Sequence, residues 1–454
     1  MAGIGQELRK LMRVQSYLAV VRAYALAGAI GSGPWLISIF GTIALGILSV
    51  RFGGDRGEIT KFLATVTYLI AASLVLSGGM QLLFTRFVAD RLFEKRKDIV
   101  LPNLLGAMLF TTLLSGLVGG VIVVFAFRGY VLYRALLLAS FVVLNDVWLL
   151  SVFLTGMKAY RFVLLIFALG YAVTLGGALA LVRYGLEGMM AGFLFGHVVL
   201  CFGMLASIAR AYASPSLSAY EFLQKKKIFL DLAATGALYN IAVWIDKAIF
   251  WATPTTSQEV LGPIRSSIVY DVPIFLAYCS IVPGMAVFLV RIETDFAEHY
   301  DELFDAVREG GTLSEIERLR DGMVTAAREG LYDIFRIQGL TVILLLLLAE
   351  SLMRALSIPV LYVPLFSIDV VGVGTQVVFL GVQTILFYLD YRMVALGLNA
   401  LLAASNALLT ILSLDLGPRF YGYGFATSVA LVTVAGLVVL SRKLDRLEYE
   451  TFMR

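Results

Sequence analysis

Apolar stretches of about membrane-spanning length alternate with short polar breaks along almost the whole chain. A helix rises 1.5 Å per residue, so roughly 20 mostly apolar residues cross about 30 Å of hydrocarbon. Twelve such runs are found, at 24–50, 61–85, 102–127, 132–156, 161–183, 187–210, 229–252, 268–290, 337–357, 366–390, 393–415 and 422–441. Prolines and polar residues interrupt the eighth and tenth. The pattern predicts an all-α polytopic membrane protein of about twelve transmembrane helices. One break is long: 291–336 is a polar insertion between the eighth and ninth runs.

Composition agrees with this pattern. Hydrophobic residues make up 60% of the 454 and charged residues 15%, against about 25% charged in soluble domains. Lys and Arg placement sets the expected orientation: with the N-terminus inside, 26 basic residues fall in inner segments and 9 in outer ones, Lys247 lying within a run. The positive-inside rule then puts both termini in the cytoplasm. The opening MAGIGQELRKLMRVQ lacks the basic end, apolar centre and small-residue site of a cleaved signal peptide. Cys201 and Cys279 sit in separate apolar runs without ligand-like neighbours, which predicts packing residues.

The runs divide into two sets of six. The second leaves through FTRFVADRLFEKR and the eighth through FLVRIETDFAEHY, so Arg86 and Asp90 match Arg291 and Asp295, each pair four apart at an inner helix end. Tyr160 and Arg161 after the fourth match Tyr391 and Arg392 after the tenth. Both correspondences skip six helices, as an internal repeat requires. The expected domains are an N-terminal cytoplasmic or interfacial helix (1–23), an N-lobe (24–212), a cytoplasmic linker (213–228), a C-lobe (229–441) and a cytoplasmic tail (442–454).

The insertion at 291–336 holds six basic and twelve acidic residues, a net of minus six. A glycine break at Gly310 and Gly311 separates two helical patterns. Ser314 and Glu317 read as a capping box, followed by Ile316, Leu319, Met323, Ala327 and Leu331 at helical spacing. A helix meant for anionic lipid is basic. This one is expected to face water as a connector, or to dock a cytoplasmic protein.

No Walker A pattern, zinc-ligand cluster, nucleophile elbow or dinucleotide fingerprint occurs, so neither a catalytic residue nor a cofactor or metal is expected. His197 in FLFGHVVL stands apart from other polar residues and reads as an interior histidine before an acyltransferase or proton-relay group. Ionisable groups within hydrocarbon carry more weight, since each costs about 2.5–3.5 kcal/mol at the bilayer centre on insertion scales. Asp146, with Asn145 before it, falls near the middle of the fourth run. In the seventh, DLAATGALYNIAVWIDKAIFW, Asn240 and Lys247 are seven apart on one helix face, while Asp246 projects about 100° away. Such a stripe reads either as the lining of a wet cavity or as an internal ion pair tying helices together. Glu350 and Asp271 lie near outer interfaces, where the cost is small.

In the first run, GAIGSGPWL (residues 28–36) places Gly31, Ser32, Gly33 and Pro34 where an unbroken helix would do without them. Pro34 cannot donate to the carbonyl of Ile30 and crowds it, so a bend or break is expected at 30–34. It reads as a packing kink or as a hinge.

Several strings together, MAGIGQELRKL, the SGPW of the first run, WIDKAIFW with GPIRSSIVYDVPIFLAY, IVPGMAVFLVRIETDF and GGTLSEIERLRDGM, resemble the PelG family of bacterial Pel exopolysaccharide machineries. The resemblance runs from the first residues through the twelfth run. It implies a bacterial inner-membrane location and a flippase-like fold akin to the multidrug/oligosaccharidyl-lipid/polysaccharide (MOP) exporters, with two six-helix lobes around a cavity. It implies, further, a cytoplasmic glycosyltransferase partner, PelF, membrane partners PelD and PelE, and a polymer rich in amino sugars. It supplies no catalytic pattern to carry over.

The leading expectation is therefore a translocator, not an enzyme. Asn145, Asp146, Trp148, Tyr239, Asn240, Trp244, Asp246 and Lys247 are the candidate path residues: carboxylates and amides for sugar hydroxyls or amines, and aromatic faces for sugar rings. The alternative is an ion-coupled antiporter of small molecules or lipid-linked oligosaccharides with the same fold. A membrane transferase ranks below both because the outer loops are short.

Overall fold

The computed structural model describes residues 17–127, 131–156, 160–224 and 229–447, with side chains at all of these except 17–23, 25, 29–36, 156, 160 and 161. Every apolar run is helical. The first six are α1 (Tyr17–Arg51), α2 (Arg56–Phe93), α3 (Val100–Ala126), α4 (Val131–Gly156), α5 (Tyr160–Ala180) and α6 (Gly185–Ala211). The seventh is α7 (Leu230–Ala252), followed by a two-stranded antiparallel hairpin of β1 (Gln258–Leu261) and β2 (Ile264–Ser266). The eighth is split into α8 (Ile268–Tyr278) and α9 (Val282–Val290); then come α10 (Ala297–Glu309), α11 (Leu313–Ala355), α12 (Val363–Tyr388), α13 (Arg392–Leu416) and α14 (Tyr423–Asp445). Ten spans among the described residues are long and apolar enough to cross a membrane. Helices α1 and α7, at the first and seventh expected positions, bring the set to twelve.

The helices pack into two units that do not follow the halves of the sequence. Of the described residues, those within 34–244 and 251–267 form the first unit, and those within 17–33, 245–250 and 268–447 the second. Most of α7 thus packs with the N-terminal helices, while the expected lobes divide at 212 and 229. Helix α1 passes from the second unit to the first between Gly33 and Pro34. It is one helix from Tyr17 to Arg51, through the stretch where a break is expected. The side chains of Gly31, Ser32, Gly33 and Pro34 lie outside the described residues, as do residues 1–16 of the expected N-terminal helix.

In the first unit, close backbone approach at glycine positions α7 against α2. A Cβ on Gly236 would lie 2.2 Å from the carbonyl oxygen of Gly78, and one on Gly78 would lie 2.3 Å from Asn240 Nδ2. The linker after α6 is strapped to this unit. The amide of Ala219 donates to Pro102 O at 2.9 Å, and that of Glu221 to Asn103 Oδ1 at 2.8 Å. Phe222 is fully buried between Phe84 and Phe87, with ring centres 5.8 and 6.3 Å away.

In the second unit, α8 and α9 are separated by a short 3-10 turn, Cys279–Ile281, and Pro283 opens α9. A helix start leaves backbone N–H groups without intrahelical partners. Gln338 of α11 supplies them: its Oε1 accepts from Gly284 N at 3.1 Å and its Nε2 donates to Ser280 O at 3.1 Å. After α9 a π-helical turn, Arg291–Phe296, leads into α10.

The polar insertion is a helical hairpin. Gly310, at φ 78°, ends α10 in the left-handed region that glycine adopts without strain. The N-cap of helix α11 then lies two residues before the expected one. Thr312, not Ser314, is the N-cap, its hydroxyl accepting from Glu315 N at 3.3 Å, because the chain leaves Gly311 already extended. Met323, Ala327, Leu331 and Ile334 form the buried stripe of α11, while Ile316 and Leu319 are half-buried near its start. At 43 residues α11 is about 65 Å long, twice the hydrocarbon thickness. Insertion and ninth span are one continuous rod.

Candidate functional site

The first unit presents α4, α7 and the hairpin. On α4, Asp146 is buried, and its Oδ2 accepts from Thr112 Oγ1 of α3 at 2.8 Å. Its Oδ1 is buried without a hydrogen-bond partner among the described residues. Asn145 is likewise half-satisfied: its Nδ2 donates to Phe141 O at 2.8 Å, and its Oδ1 has no partner among the described residues. Orphaned buried acceptors are uncommon and costly. At residues 145–146 two such acceptors are adjacent on one helix. Trp148 differs: its indole donates to Ser73 Oγ at 2.9 Å, and its ring is buried with Phe141 and Leu144. It packs the interior and leaves little ring face exposed.

On α7, Tyr239, Asn240 and Trp244 are half-buried. Asn240 Nδ2 donates to Gly236 O at 3.0 Å. Trp244 lies 6.2 Å from Trp251, which in turn stacks on Tyr68 at 4.5 Å. The hydroxyl of Tyr68 accepts from the backbone of Arg265 at 3.2 Å, tying the hairpin to α2. This aromatic group around Trp251 was not legible from sequence beyond the seven-residue spacing of the two tryptophans. A cavity of about 90 Å³ lined by Glu58, Lys61, Tyr133, Leu186, Glu187 and Leu261 also belongs to this unit; it is below the several hundred Å³ that organic ligands usually occupy.

His197 is an interior residue. Its Nδ1 lies 2.8 Å from Phe193 O, a carbonyl that only accepts, so Nδ1 carries the proton and Nε2 accepts from the Tyr171 hydroxyl at 3.4 Å.

Asp246 and Lys247 are grouped with the second unit, and the other path candidates with the first. Both are fully buried. Asp246 Oδ2 accepts from Lys247 Nζ at 3.0 Å and from the Tyr270 hydroxyl at 2.6 Å. Oδ1 takes Lys247 at 3.2 Å and the Asn406 amide at 3.5 Å. Asp369 of α12 is equally buried, and neither carboxylate oxygen has a hydrogen-bond partner among the described residues. Asp369, Tyr270 and Asn406 were not singled out in the sequence. Periodicity was the available signal: Asp369, Gln376 and Gln383 recur every seven residues on α12, and Asn399, Asn406, Thr410 and Ser413 line one face of α13, all buried.

The matched helix-end pairs are both ion pairs. Arg86 meets Asp90 at 3.1 Å and Arg291 meets Asp295 at 3.1 Å, Arg291 also reaching Asp333 of α11 at 2.7 Å. The side chains of Tyr160 and Arg161 lie outside the described residues. Among the described residues, no three His, Cys, Asp or Glu side chains are grouped to hold a metal ion.

Long apolar helices, ten of them long and apolar enough to span a membrane among the described residues, define a multi-pass membrane protein, and known structures share the fold. The outward-facing multidrug resistance MATE transporter of the MOP superfamily matches with TM-score 0.64 at 14% identity, covering 94% of this chain and 97% of that one. A MATE structure in the straight conformation matches with TM-score 0.64 at 13% identity over 99% of this chain and 98% of that one. A MOP superfamily transporter from Pyrococcus furiosus, described as having a binding pocket of reversed polarity, matches with TM-score 0.62 at 13% identity, over 98% of this chain and 97% of that one. No curated protein sequence matches. The particular family follows from residues 1–452, which match the family described as "PelG: Putative exopolysaccharide Exporter (EPS-E)". The chain belongs to the PelG family. It is an exporter, not an enzyme.

Proposed function

We propose that this chain passes a nascent, amino-sugar-rich Pel exopolysaccharide across the bacterial inner membrane, driven and fed by a cytoplasmic glycosyltransferase, PelF, with PelD and PelE as membrane partners. Both termini lie in the cytoplasm on this reading, as the basic residues favour. The observation that carries the coupling is α11. Its first half belongs to a water-facing acidic hairpin and its second half is an apolar span, with no break between them. A protein bound to the hairpin is therefore held on a rod continuous with the membrane region. Exposed Glu302, Asp305, Glu309, Glu315, Glu317 and Asp321 give the hairpin a surface that favours a basic protein face over anionic lipid. Along the path, Asp146, Asn145 and Asn240 offer acceptors to sugar hydroxyls and amines. Contacts of modest strength suit a chain that must keep moving.

The test is reconstitution of the chain with its glycosyltransferase and nucleotide sugar in inverted vesicles. Polymer protected inside the lumen supports translocation; polymer found only outside overturns it. A second reading, an ion-coupled antiporter, is favoured by one observation, the unpartnered Oδ1 of buried Asp146. Gradient-driven counterflow of a small substrate, abolished by Asp146→Asn, would select it.

A further inference from the structure

The buried cluster in the second unit contains two carboxylates and one ammonium. Lys247 and Asp246 are neighbours on a helix, where side chains diverge by about 100°. Yet Lys247 Nζ lies 3.0 and 3.2 Å from the two oxygens of Asp246, so the flexible lysine stem folds back onto its neighbour. The ammonium also stands 5.1 Å from the ring centres of both Tyr278 and Phe425, and Asp369 is within its electrostatic reach. A carboxylate on one side and aromatic faces on the other make a cage of the kind that holds small organic cations. Asp246 has its other lone pairs occupied by Tyr270 and Asn406, so its orientation is fixed for that charge.

We propose that Lys247 is a tethered counter-ion, occupying, between Asp246 and the rings of Tyr278 and Phe425, the place that an exchangeable monovalent cation or small ammonium would otherwise take. A cation that enters and leaves lets an ion gradient do work at its site; a covalently attached one does not. The second unit then changes conformation without taking up or releasing a cation at this cluster. This goes beyond the translocation reading, because it concerns the energy source rather than the cargo, and it stands whatever the vesicle assay returns.

Thermal unfolding of the purified full chain in detergent tests it, in choline chloride, sodium chloride and methylammonium chloride. All proteins carry Asp146→Asn so that the first unit's carboxylate does not contribute. The chain with Lys247 is expected to unfold at the same temperature in all three salts. Lys247→Ala should fall by several degrees in choline and recover part of the loss in sodium or methylammonium, which refill the vacated place. Asp246→Asn/Lys247→Met, which removes the ion pair and leaves Asp369, should lie above Lys247→Ala and recover less in sodium or methylammonium. Equal loss for Lys247→Ala in all three salts overturns the proposal, as does a sodium-dependent rise in the Lys247 chain that Asp369→Asn abolishes. If Lys247→Ala does not fold, a folded double variant still supports charge balance as the role of Lys247, and an unfolded one refutes it.

Discussion

Gln338→Met removes a side chain that substitutes for missing helix hydrogen bonds. Gln338 is buried on α11, and its amide serves Gly284 N–H and Ser280 C=O across the interruption between α8 and α9. Methionine has similar length and flexibility, so packing changes little and the loss is polar. Each backbone group left buried without a partner costs about 1–3 kcal/mol, so two cost about 2–6 kcal/mol. Gly284 N–H and Ser280 C=O are a helical i, i−4 pair, so closing that bond directly would recover part of the loss, and the expected cost lies near the lower bound. The assay is hydrogen exchange on the peptide around residue 284 in detergent, beside denaturant unfolding of the whole chain. The lower bound of about 2 kcal/mol corresponds to exchange about 30-fold faster at Gly284. Exchange within about threefold of the parent, with unchanged unfolding, would show that the interruption is stable without Gln338 and refute the reasoning.

Three other substitutions test how the elements are held. Phe222→Ala empties a fully buried site under the linker and should cost about 3–5 kcal/mol, read as earlier unfolding and as new protease cleavage within 213–224. Gly236→Ala puts a methyl 2.2 Å from a backbone oxygen of Gly78, so α2 and α7 must part. A loss of about 1–3 kcal/mol or more is expected, and parent-like stability would mean that the crossing is looser than described. Thr312→Ala removes the cap of α11 and should destabilise the hairpin by about 1 kcal/mol, seen as faster exchange at Glu315 while the span at 337–355 is unaffected.

Much of the fold was legible because the relevant signals are local. Run length sets how many helices can cross a bilayer, and a helix must satisfy its own backbone there. The twelve runs, the glycine-broken insertion and the Arg/Asp pairs four apart therefore depend only on residues close in sequence. Polar residues such as Asp146 and Lys247 were visible as exceptions to the apolar pattern. Their partners were not. Trp148 looked like a free aromatic face, but its indole meets Ser73, 75 positions away. The seventh run read either as a cavity lining or as an internal ion pair, and only the structure pairs Lys247 with Asp246.

By itself, the sequence determined the membrane class, the approximate positions of the spans, the acidity of the hairpin and the family. Hydrophobicity, charge and helical period act over one or two turns, and each is complete in the local chain. Only the tertiary structure decided which polar group answers which. Thr112 meets Asp146, Asn406 and Tyr270 meet Asp246, and Gln338 meets the interrupted helix because packing brings together residues up to 160 positions apart. In hydrocarbon a buried charge or amide is stabilised where such a partner is within hydrogen-bond reach, and that reach is set by the crossing of helices, not by their sequence.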